Sequence, residues 1–340
     1  MAADRRRTRQ PRRHRVNLTR RTLMALGAAV LVPAAPAAFA QAYPTKAIRV
    51  VVPFPPGGGT DIIAREVTQK VASSTGWTFV IDNKPGAGGN LGVDNAAKSP
   101  ADGYTIVLGQ TSNLAINPTL YSKLPYNPQT DLAPIGLVAS APLVIVVPVS
   151  SPFKTLGDLV AAAKAKPGQV NFASPGNGTV AHLTGEQFQK AAGIGFQHVP
   201  YKGANQALND VIGGQVQLYV SSVPSVLQQI RTGKLRPLAV TSDKRVDDLP
   251  QVPTVGESGY KGFDAITWFG FLAPAKTPKD IVTRLNAEFN KALQQPDLVK
   301  KLGEEGADPM TSTPEQFAQR IRTDLALWGK TVKDIGLKLD

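Results

Sequence analysis

The chain has 340 residues, 42% hydrophobic and 19% charged, which is an ordinary globular composition at a length that predicts two domains. The net charge of +13 comes mostly from residues 1–40, with nine Arg and one acidic residue; the remaining 29 basic and 24 acidic residues are too balanced for a nucleic-acid-binding protein. Cysteine is absent and only His182 and His198 follow residue 40, which excludes disulfides and a Cys nucleophile, and we expect no metal and no cofactor.

Residues 1–40 have the features of a signal peptide. An apolar stretch at 23–32 follows an Arg-dense segment, and Ala38 and Ala40 supply the small residues that signal peptidase requires. We expect cleavage after Ala40 and a periplasmic protein. The run TRRTLM at 19–24 also fits the twin-arginine pattern, so Tat and Sec export both remain open. The apolar stretch is too short to span a bilayer.

From residue 46 onward, short β-branched runs alternate with helical stretches, which is typical of an α/β fold with largely parallel sheets. The predicted strands are 48–53, 78–81, 105–108, 170–173, 197–200, 216–220 and 235–240. The predicted helices are 60–73, 155–165, 179–191, 204–212 and 224–231, followed by three in the tail 278–335 that start near Pro278, Pro296 and Pro314.

Two extended apolar stretches, 143–148 and 263–274, are candidates for passages between domains. Two crossings imply a discontinuous first lobe, 43–145 plus 265–340, and a second lobe at 146–264. A single crossing would instead give tandem domains, and the sequence leaves that alternative open.

One design occurs four times along the chain: a strand, a glycine-bearing turn and then a helix. Two copies fall in each predicted lobe, at 50–61, 81–92, 171–179 and 198–205. The first N–H groups of a helix lack intrahelical partners and carry partial positive charge, so such turns favour anions, and glycine lets the backbone approach a ligand. For any single turn, tight packing of the backbone is a better explanation of its glycines than contact with a ligand. The fourfold placement indicates a shared anion cleft.

Motifs for nucleotide binding and catalysis do not occur in the sequence. The glycines at 86–92 miss the G-x-G-x-x-G spacing by one position, and there is no P-loop, G-x-S-x-G elbow or H-E-x-x-H pair. Ser174, His182 and Asp210 can be drawn as a triad, but their spacing does not support one. We expect Ser174 to cap a turn or line the cleft, and His182 to be partly buried and bonded to a backbone carbonyl.

Seven segments together resemble the Bug family, the substrate-binding components of tripartite tricarboxylate transporters. The resemblance covers about residues 43–340 in unbroken order and includes His182 with Leu183; Asn127 and Ala101 depart from the usual family residues, away from the expected site. The segments are PFPPGG at 53–58, DIIAR at 61–65, NKPGAGG at 83–89, PADGYT at 100–105, LPYNP at 124–128, HVPYKG at 198–203 and VPTV at 252–255.

This resemblance implies a type II periplasmic binding protein fold, α/β in class, with two lobes joined by two crossings and a ligand cleft between them. Family members bind di- and tricarboxylates, amino acids or aromatic acids and pass them to a membrane permease. We therefore expect a monomeric solute-binding protein that captures a small organic carboxylate by closure of its lobes and is not an enzyme. The alternatives are an exported receptor that signals to a membrane sensor, and an enzyme on the same fold.

In the family, the loops that match 54–61 and 86–90 reach the ligand from one lobe, and the turns that match 174–179 and 201–204 reach it from the other. Further contacts are expected from loops such as 111–117 and 221–225. Phe54 would supply an apolar wall, and Asp61 either a ligand contact or a helix cap. The expected ligand-binding residues are Phe54, Gly57, Gly58, Thr60, Asp61, Gly88, Gly89, Asn90, Thr111, Asn113, Ser174, Gly176, Asn177, Gly178, Thr179, Tyr201, Gly203 and Ala204.

Overall fold

The computed structural model describes residues 43–339, so the predicted signal peptide lies outside the described residues. The strands within this range are β1 (Ile48–Val52), β2 (Phe79–Asn83), β3 (Thr105–Gln110), β4 (Leu132–Pro148), β5 (Asn171–Ser174), β6 (Gln197–Pro200), β7 (Leu218–Ser222), β8 (Leu235–Val240), β9 (Ile266–Pro274) and β10 (Asp308–Pro309). The helices are α1 (Gly59–Thr75), α2 (Asn90–Ala97), α3 (Asn117–Leu120), α4 (Leu156–Ala165), α5 (Val180–Ala192), α6 (Ala204–Ile212), α7 (Val223–Arg231), α8 (Lys279–Leu293), α9 (Pro296–Glu304) and α10 (Pro314–Ile335).

Every predicted strand and helix is present, with ends that shift by about two residues. The three tail helices begin at the predicted prolines: Pro278 is the N-cap of α8, while Pro296 and Pro314 occupy the first turns of α9 and α10. Proline suits these positions because its missing N–H would have no intrahelical partner there. The sequence did not predict α3, β10 or the first half of β4, and it implied α2 only as the helix after the second glycine turn.

The strands follow the order β2-β1-β3-β9-β4-β7-β5-β6, and β8 and β10 also pair with β4. The groups β1–β3 and β5–β7 are parallel, whereas β9 and β4 run antiparallel to their neighbours. Strands β1, β2, β5 and β6 each end at a loop that leads into α1, α2, α5 or α6. This topology places the four glycine turns at the carboxyl ends of parallel strands, where open α/β sheets bind ligands.

Strand β4 changes partners along its length. Residues 132–142 pair with β9, whereas residues 143–148 pair with β7 and β8. This change supports the first predicted crossing. We refer to 43–145 with 265–340 as lobe 1 and to 146–264 as lobe 2, and these boundaries remain a prediction.

The second passage between the lobes is tied to the first by Thr241, which is fully buried. The Thr241 hydroxyl accepts a hydrogen bond from the N–H of Leu143 at 2.9 Å and lies 2.5 Å from the carbonyl of Ala265, to which it donates. Leu143 lies in β4, and Ala265 precedes β9. One side chain therefore holds both connecting segments together.

The apolar core consists of three clusters. In lobe 1 the rings of Phe271 and Phe289 stack with centroids 4.4 Å apart beside Val50, in lobe 2 Tyr219 packs with Val211, and a third cluster contains residues of both lobes. Full burial of side chains of this size contributes roughly 1.5–3 kcal/mol each. None of the helices within residues 43–339 is long and apolar enough to cross a membrane.

Candidate functional site

The N-terminus of α1 lies at the boundary between the lobes. Its N-cap, Gly58, has an extended backbone (φ −85°, ψ 165°) and offers no side-chain cap. The N–H of Gly59 donates to Ser225 Oγ of lobe 2 at 2.9 Å. The next N–H, that of Thr60, has no hydrogen-bond partner among residues 43–339. Lobe 1 thus presents one helix donor already bonded across the cleft and one that is free.

The N-terminus of α5 repeats this arrangement from lobe 2. Thr179 is the N-cap, and its hydroxyl accepts from the N–H of His182 at 3.3 Å. The N–H of Val180 donates to Ser112 Oγ of lobe 1 at 3.0 Å. The following N–H, that of Ala181, has no hydrogen-bond partner in the described part of the chain. In each lobe, therefore, a serine from the opposite lobe bonds the first helical N–H and leaves the second free.

Both helix ends border one narrow cavity with about 50 Å³ of space for water-sized molecules, enough for a few waters. No charged side chain lines this cavity within the described residues. Its apolar wall is formed by Phe54, Pro55, Leu143, Pro175, Val180, Ala181, Ala204 and Phe269. Its polar wall is formed by Thr60, Gln110, Ser112, Thr179, Ser222, Ser225 and Thr267, with Gly58 and Gly59 between them.

A wider space of about 580 Å³ adjoins this cavity and shares Phe54, Pro55 and Pro175 with it. The loops 85–89, 175–177 and 200–203 surround it, and Lys202 is the one charged residue in its wall among the described residues. We call this space the mouth of the cleft. Its charge is positive, which attracts anions.

Five glycines of the four loops face the opposite lobe. A Cβ on any of these five would lie within 3 Å of an atom across the cleft, closer than real side chains pack. The pairs are Gly57 with Asn205 (2.9 Å), Gly59 with Ser222 (2.8 Å), Gly88 with the carbonyl of Asn177 (2.9 Å), Gly178 with Asn117 (2.8 Å) and Gly203 with Pro55 (2.6 Å). These glycines therefore let the two lobes approach each other.

The predicted ligand-binding residues fall into three groups in the structure. Those in the cavity wall are Phe54, Gly58, Thr60, Thr179 and Ala204. Those around the mouth are Gly88, Gly89, Gly176, Asn177, Tyr201 and Gly203. Those that line neither space are Gly57, Asp61, Asn90, Thr111, Asn113, Ser174 and Gly178.

Asp61 is 3% exposed, and both its oxygens are engaged within lobe 1. Oδ1 accepts from Asn83 at 2.9 Å, and Oδ2 accepts from the N–H of Gly57 and from Arg65, each at 2.9 Å. Burial raises the pKa of Asp61, but the bonds from Arg65, Gly57 and Asn83 outweigh it and hold the pKa below its ordinary value. Asp61 is therefore ionised and fixes the loop before α1, as a cap would.

Three other predicted residues support loops beneath the cleft. Asn90 Oδ1 accepts from Asn117 at 2.7 Å and from the Tyr126 hydroxyl at 3.0 Å. The Thr111 hydroxyl accepts from the N–H of Trp268 at 3.0 Å, and Asn113 Oδ1 accepts from the N–H of Gln110 at the same distance. Their hydrogen bonds hold the residues that line the cavity.

Ser174, His182 and Asp210 do not form a triad. Ser174 Oγ lies 2.7 Å from Nε2 of His198, whereas Asp210 accepts from the Tyr201 hydroxyl at 2.7 Å. Ser174 is fully buried and lines neither the cavity nor the mouth.

The prediction for His182 is wrong in two respects. The side chain is 3% exposed instead of partly buried, and its Nδ1 accepts from the N–H of Gly178 at 3.4 Å instead of bonding a carbonyl. Its ring stacks on that of His198 with centroids 3.8 Å apart. Burial and the neighbouring His198 lower the pKa of His182 to about 3, and burial lowers that of His198 to about 4. Both rings are neutral and support the loop at 174–179.

A comparison with protein families gives a match over residues 63–337 to the tripartite tricarboxylate transporter family receptor. This match spans most of the described chain and includes the N-terminus of α5 and the segments that Thr241 joins, while the N-terminus of α1 lies just before it. The chain belongs to this family.

Solved structures of similar proteins agree with this family and its fold. The periplasmic binding protein BugD is 35% identical with a TM-score of 0.83, and the alignment covers 87% of this chain and 99% of BugD. An R. palustris protein solved with adipate is 35% identical with a TM-score of 0.85, over 87% of this chain and 99% of that protein. MatC from Rhodopseudomonas palustris, solved with bound malate, is 30% identical with a TM-score of 0.81, over 85% of this chain and all of MatC. The predicted Bug resemblance and the two-lobed periplasmic binding protein fold are confirmed.

Some residues of this tricarboxylate-transporter receptor line the cavity without having been predicted. Gln110 ends β3, while Thr267 and Phe269 lie in β9, and the Thr267 hydroxyl donates to Gln110 Oε1 at 3.0 Å. No glycine turn marks these positions, because they lie on strands between the lobes. Gln110 and Thr267 are polar residues in otherwise apolar strands, and this was the feature of the sequence that could have indicated them.

Proposed function

We propose that this protein is an exported receptor that captures a small organic carboxylate between its lobes and delivers it to a tripartite tricarboxylate-type permease. One observation carries the proposal: the free N–H groups of Thr60 and Ala181, at the ends of two helices from opposite lobes, border one uncharged cavity. Each helix end carries roughly half a positive charge. A carboxylate is the anion that such donors and such a family favour.

Binding by closure follows from the position of these donors. A ligand that contacts Thr60 in lobe 1 and Ala181 in lobe 2 gains both contacts only when the lobes are together, so it stabilises the closed state. Two relatives of known structure, one solved with adipate and one with malate, support this ligand class. A role in binding without catalysis is supported by the burial of Ser174 and by its bond to the half-buried His198, since neither residue lines the cavity. Location in the periplasm is supported by the leader sequence and by the family.

The direct test is a thermal-shift screen of the mature protein, residues 41–340, with mono-, di- and tricarboxylates. A ligand at 100 times its dissociation constant should add about 2.7 kcal/mol to the free energy of unfolding. Isothermal titration calorimetry then measures each positive. If no carboxylate shifts the melting temperature or produces heat, the proposal is wrong.

A pair of variants at Gly58 tests the location of the site. Its extended backbone accepts any residue, and a Cβ there would lie 3.6 Å from Ala204, an ordinary contact. Gly58→Asp places a carboxylate at the N-cap of α1, where it stabilises the helix and competes with the ligand. We expect at least a hundredfold loss of affinity with no loss of thermal stability. Gly58→Ala is the control and should bind within a few-fold of wild type; equal affinity for the two variants would remove this loop from the site.

A further inference from the structure

Asn177 and Gly178 form the one Asn-Gly pair in the sequence, and they lie in the loop between β5 and α5. Asn177 is exposed in the wall of the mouth, and its side chain makes no hydrogen bond within residues 43–339. Because Gly178 has no side chain, nothing on that residue shields its backbone nitrogen. The side-chain amide of Asn177 therefore has an accessible nucleophile on the next residue.

The backbone of this pair is only weakly restrained. The N–H of Gly178 donates to Nδ1 of His182 at 3.4 Å, which is longer than the usual hydrogen-bond range of about 2.7–3.2 Å. Asn177 lies in a turn, whereas Asn171 lies in strand β5 and Asn209 in helix α6, where regular backbone hydrogen bonds oppose rotation. Asn177 thus combines an exposed amide with a backbone that can rotate.

Attack of the Gly178 nitrogen on the Asn177 side chain is a balanced reaction. The nitrogen loses its proton and bonds to Cγ of Asn177, and the side-chain nitrogen leaves with that proton as ammonia. The product is a succinimide ring. One water then adds to either ring carbonyl and breaks its bond to the ring nitrogen, which gives aspartate or isoaspartate. No oxidant or reductant takes part, and asparagine is thermolabile in proteins generally.

The closed cleft restrains this loop. The carbonyl of Asn177 lies against lobe 1, since a Cβ on Gly88 would be 2.9 Å from it. A Cβ on Gly178 would likewise be 2.8 Å from Oδ1 of Asn117. Ring formation requires rotation of the peptide group between Asn177 and Gly178, which moves this carbonyl, and contact with lobe 1 leaves no room for that movement. The reaction therefore requires the open receptor.

We propose that Asn177 is a site of spontaneous deamidation, that the reaction occurs in the open receptor, and that the carboxylate it forms weakens ligand capture. The last step rests on the proposed function. The new negative charge lies in the same wall as Lys202 and offsets the attraction of that cation for an anion. Isoaspartate also adds a methylene to the backbone two residues before the N-cap of α5. Receptors that stay empty would therefore lose function with age.

Mass spectrometry of the mature protein, incubated at pH 8 and 37 °C, measures the modification without any ligand. The tryptic peptide 165–190 contains both Asn171 and Asn177, so fragment ions compare the two residues in one spectrum. We expect Asn177 to convert to aspartate and isoaspartate at least tenfold faster than Asn171 or Asn209 converts. Equal rates would overturn the proposal.

Gly59→Ala tests whether closure restrains the loop. The added Cβ would lie 2.8 Å from Ser222 Oγ across the cleft, so we expect this variant to hold the lobes apart. Asn177 should convert at least threefold faster in it than in wild type. Gly157→Ala, whose Cβ would meet only Thr155 of its own lobe, is the control and should show the wild-type rate. An unchanged rate in Gly59→Ala would overturn the requirement for opening.

Variants and incubated protein test the effect of the new charge. Calorimetry uses butyrate, succinate, adipate and citrate, which cover mono-, di- and tricarboxylates. Each acid that binds fresh wild type should bind Asn177→Asp at least fivefold more weakly. Asn209→Asp adds the same charge on an exposed part of α6 that lines neither the cavity nor the mouth, and it should bind within twofold of wild type. Asn177→Gln forms the larger ring slowly, so it should keep its own starting affinity on incubation, whereas wild type loses affinity.

The outcomes separate the modification from the proposed function. If Asn177 converts but incubated wild type and Asn177→Asp bind as tightly as fresh wild type, the effect on capture is wrong. If none of the four acids binds fresh wild type, the proposed function fails, while the mass spectra still decide whether Asn177 deamidates.

Discussion

The stacked pair His182 and His198 shows how single residues keep the lobe 2 loop in shape. Phe172 stacks beneath His198 at 4.6 Å, so the imidazoles form part of an aromatic column under residues 174–179. Each ring holds a loop atom: His182 accepts from Gly178, and His198 bonds Ser174. The hydrogen bond from Gly178 to Nδ1 of His182 depends on a neutral ring. Protonation therefore opposes the native loop.

This pair predicts how stability changes with pH. In the unfolded chain both histidines titrate near pH 6.5, whereas burial lowers their folded pKa values to about 3 for His182 and about 4 for His198. Above pH 6.5 both rings are neutral in the folded and in the unfolded chain, so neither histidine lowers the free energy of unfolding there. Below that pH the unfolded chain binds protons that the folded chain does not, so each histidine removes up to about 1.4 kcal/mol per pH unit down to about pH 4.

Urea denaturation at pH 7.5 and pH 5.0 measures this loss. His182→Gln keeps an acceptor for Gly178 but cannot be protonated, so the variant should lose clearly less stability than wild type between the two pH values. Titrating carboxylates contribute equally to both proteins and cancel in the comparison. Identical losses would contradict the assignment.

Residue-level roles were the least predictable part of the chain. Ser174 and His182 were expected to have separate minor roles, yet the column that joins Ser174 to His198 depends on the register of β5 and β6, which local sequence does not specify. Asp61 was left open between ligand and cap, because its partners Asn83 and Arg65 come together only in the folded lobe. These side-chain contacts depend on which strands pair and in which register, and the spacing of residues along the chain does not reveal that pairing.

At the scale of elements, periodicity and turn residues predicted most strands and helices. The exceptions have physical reasons. The first half of β4 contains Pro134 and Pro142, which argue against a strand, but register shifts along its pairing with β9 accommodate the irregularity. Helix α3 has four residues, too few for a periodic signal. The two passages between the lobes, which we call the hinge, remain a prediction from two apolar stretches, and nothing in those stretches indicated that Thr241 would bond both.

Removal of the Thr241 hydroxyl tests the hinge. Thr241→Val keeps the shape of the side chain but leaves the N–H of Leu143 and the carbonyl of Ala265 without this partner in a buried place. We expect a loss of about 1–3 kcal/mol in the free energy of unfolding. Thr232→Val, whose hydroxyl bonds a helix carbonyl on the surface, should change it by about 0.5 kcal/mol or less. Equal urea midpoints for the two variants would contradict a special role for Thr241.

At the scale of the molecule, the glycine turns have a function that the sequence did not reveal. Glycine was expected to let the backbone approach a ligand, whereas the structure places Gly59 and Gly203 against the opposite lobe. Lobe closure brings together loops that are far apart in sequence, so their mutual spacing is a property of the fold. The family resemblance predicted the cleft, and only the structure places the glycines at its closing faces.

Gly59→Ala tests closure without disturbing either lobe. The added Cβ would lie 2.8 Å from Ser222 Oγ and 3.3 Å from Ser225 Oγ, both across the cleft, while alanine suits a first helical turn. We expect a larger radius of gyration in small-angle X-ray scattering and at least tenfold weaker carboxylate binding, with an unchanged melting temperature of the unliganded protein.

Gly157→Ala is the matched control for this substitution. Gly157 also lies in the first turn of a helix, and its Cβ would meet only Thr155 of its own lobe, at 3.6 Å. This variant should keep the wild-type radius and affinity. A wild-type radius for Gly59→Ala would show that the lobes do not close against this glycine.

The two serines that bond the helix ends across the cleft have a kinetic consequence. Because Ser225 and Ser112 bond the first N–H groups of α1 and α5 across the cleft, both hydrogen bonds exist only while the lobes are together. Opening the cleft breaks both bonds, and ligand enters only open molecules, so the apparent association rate scales with the open fraction.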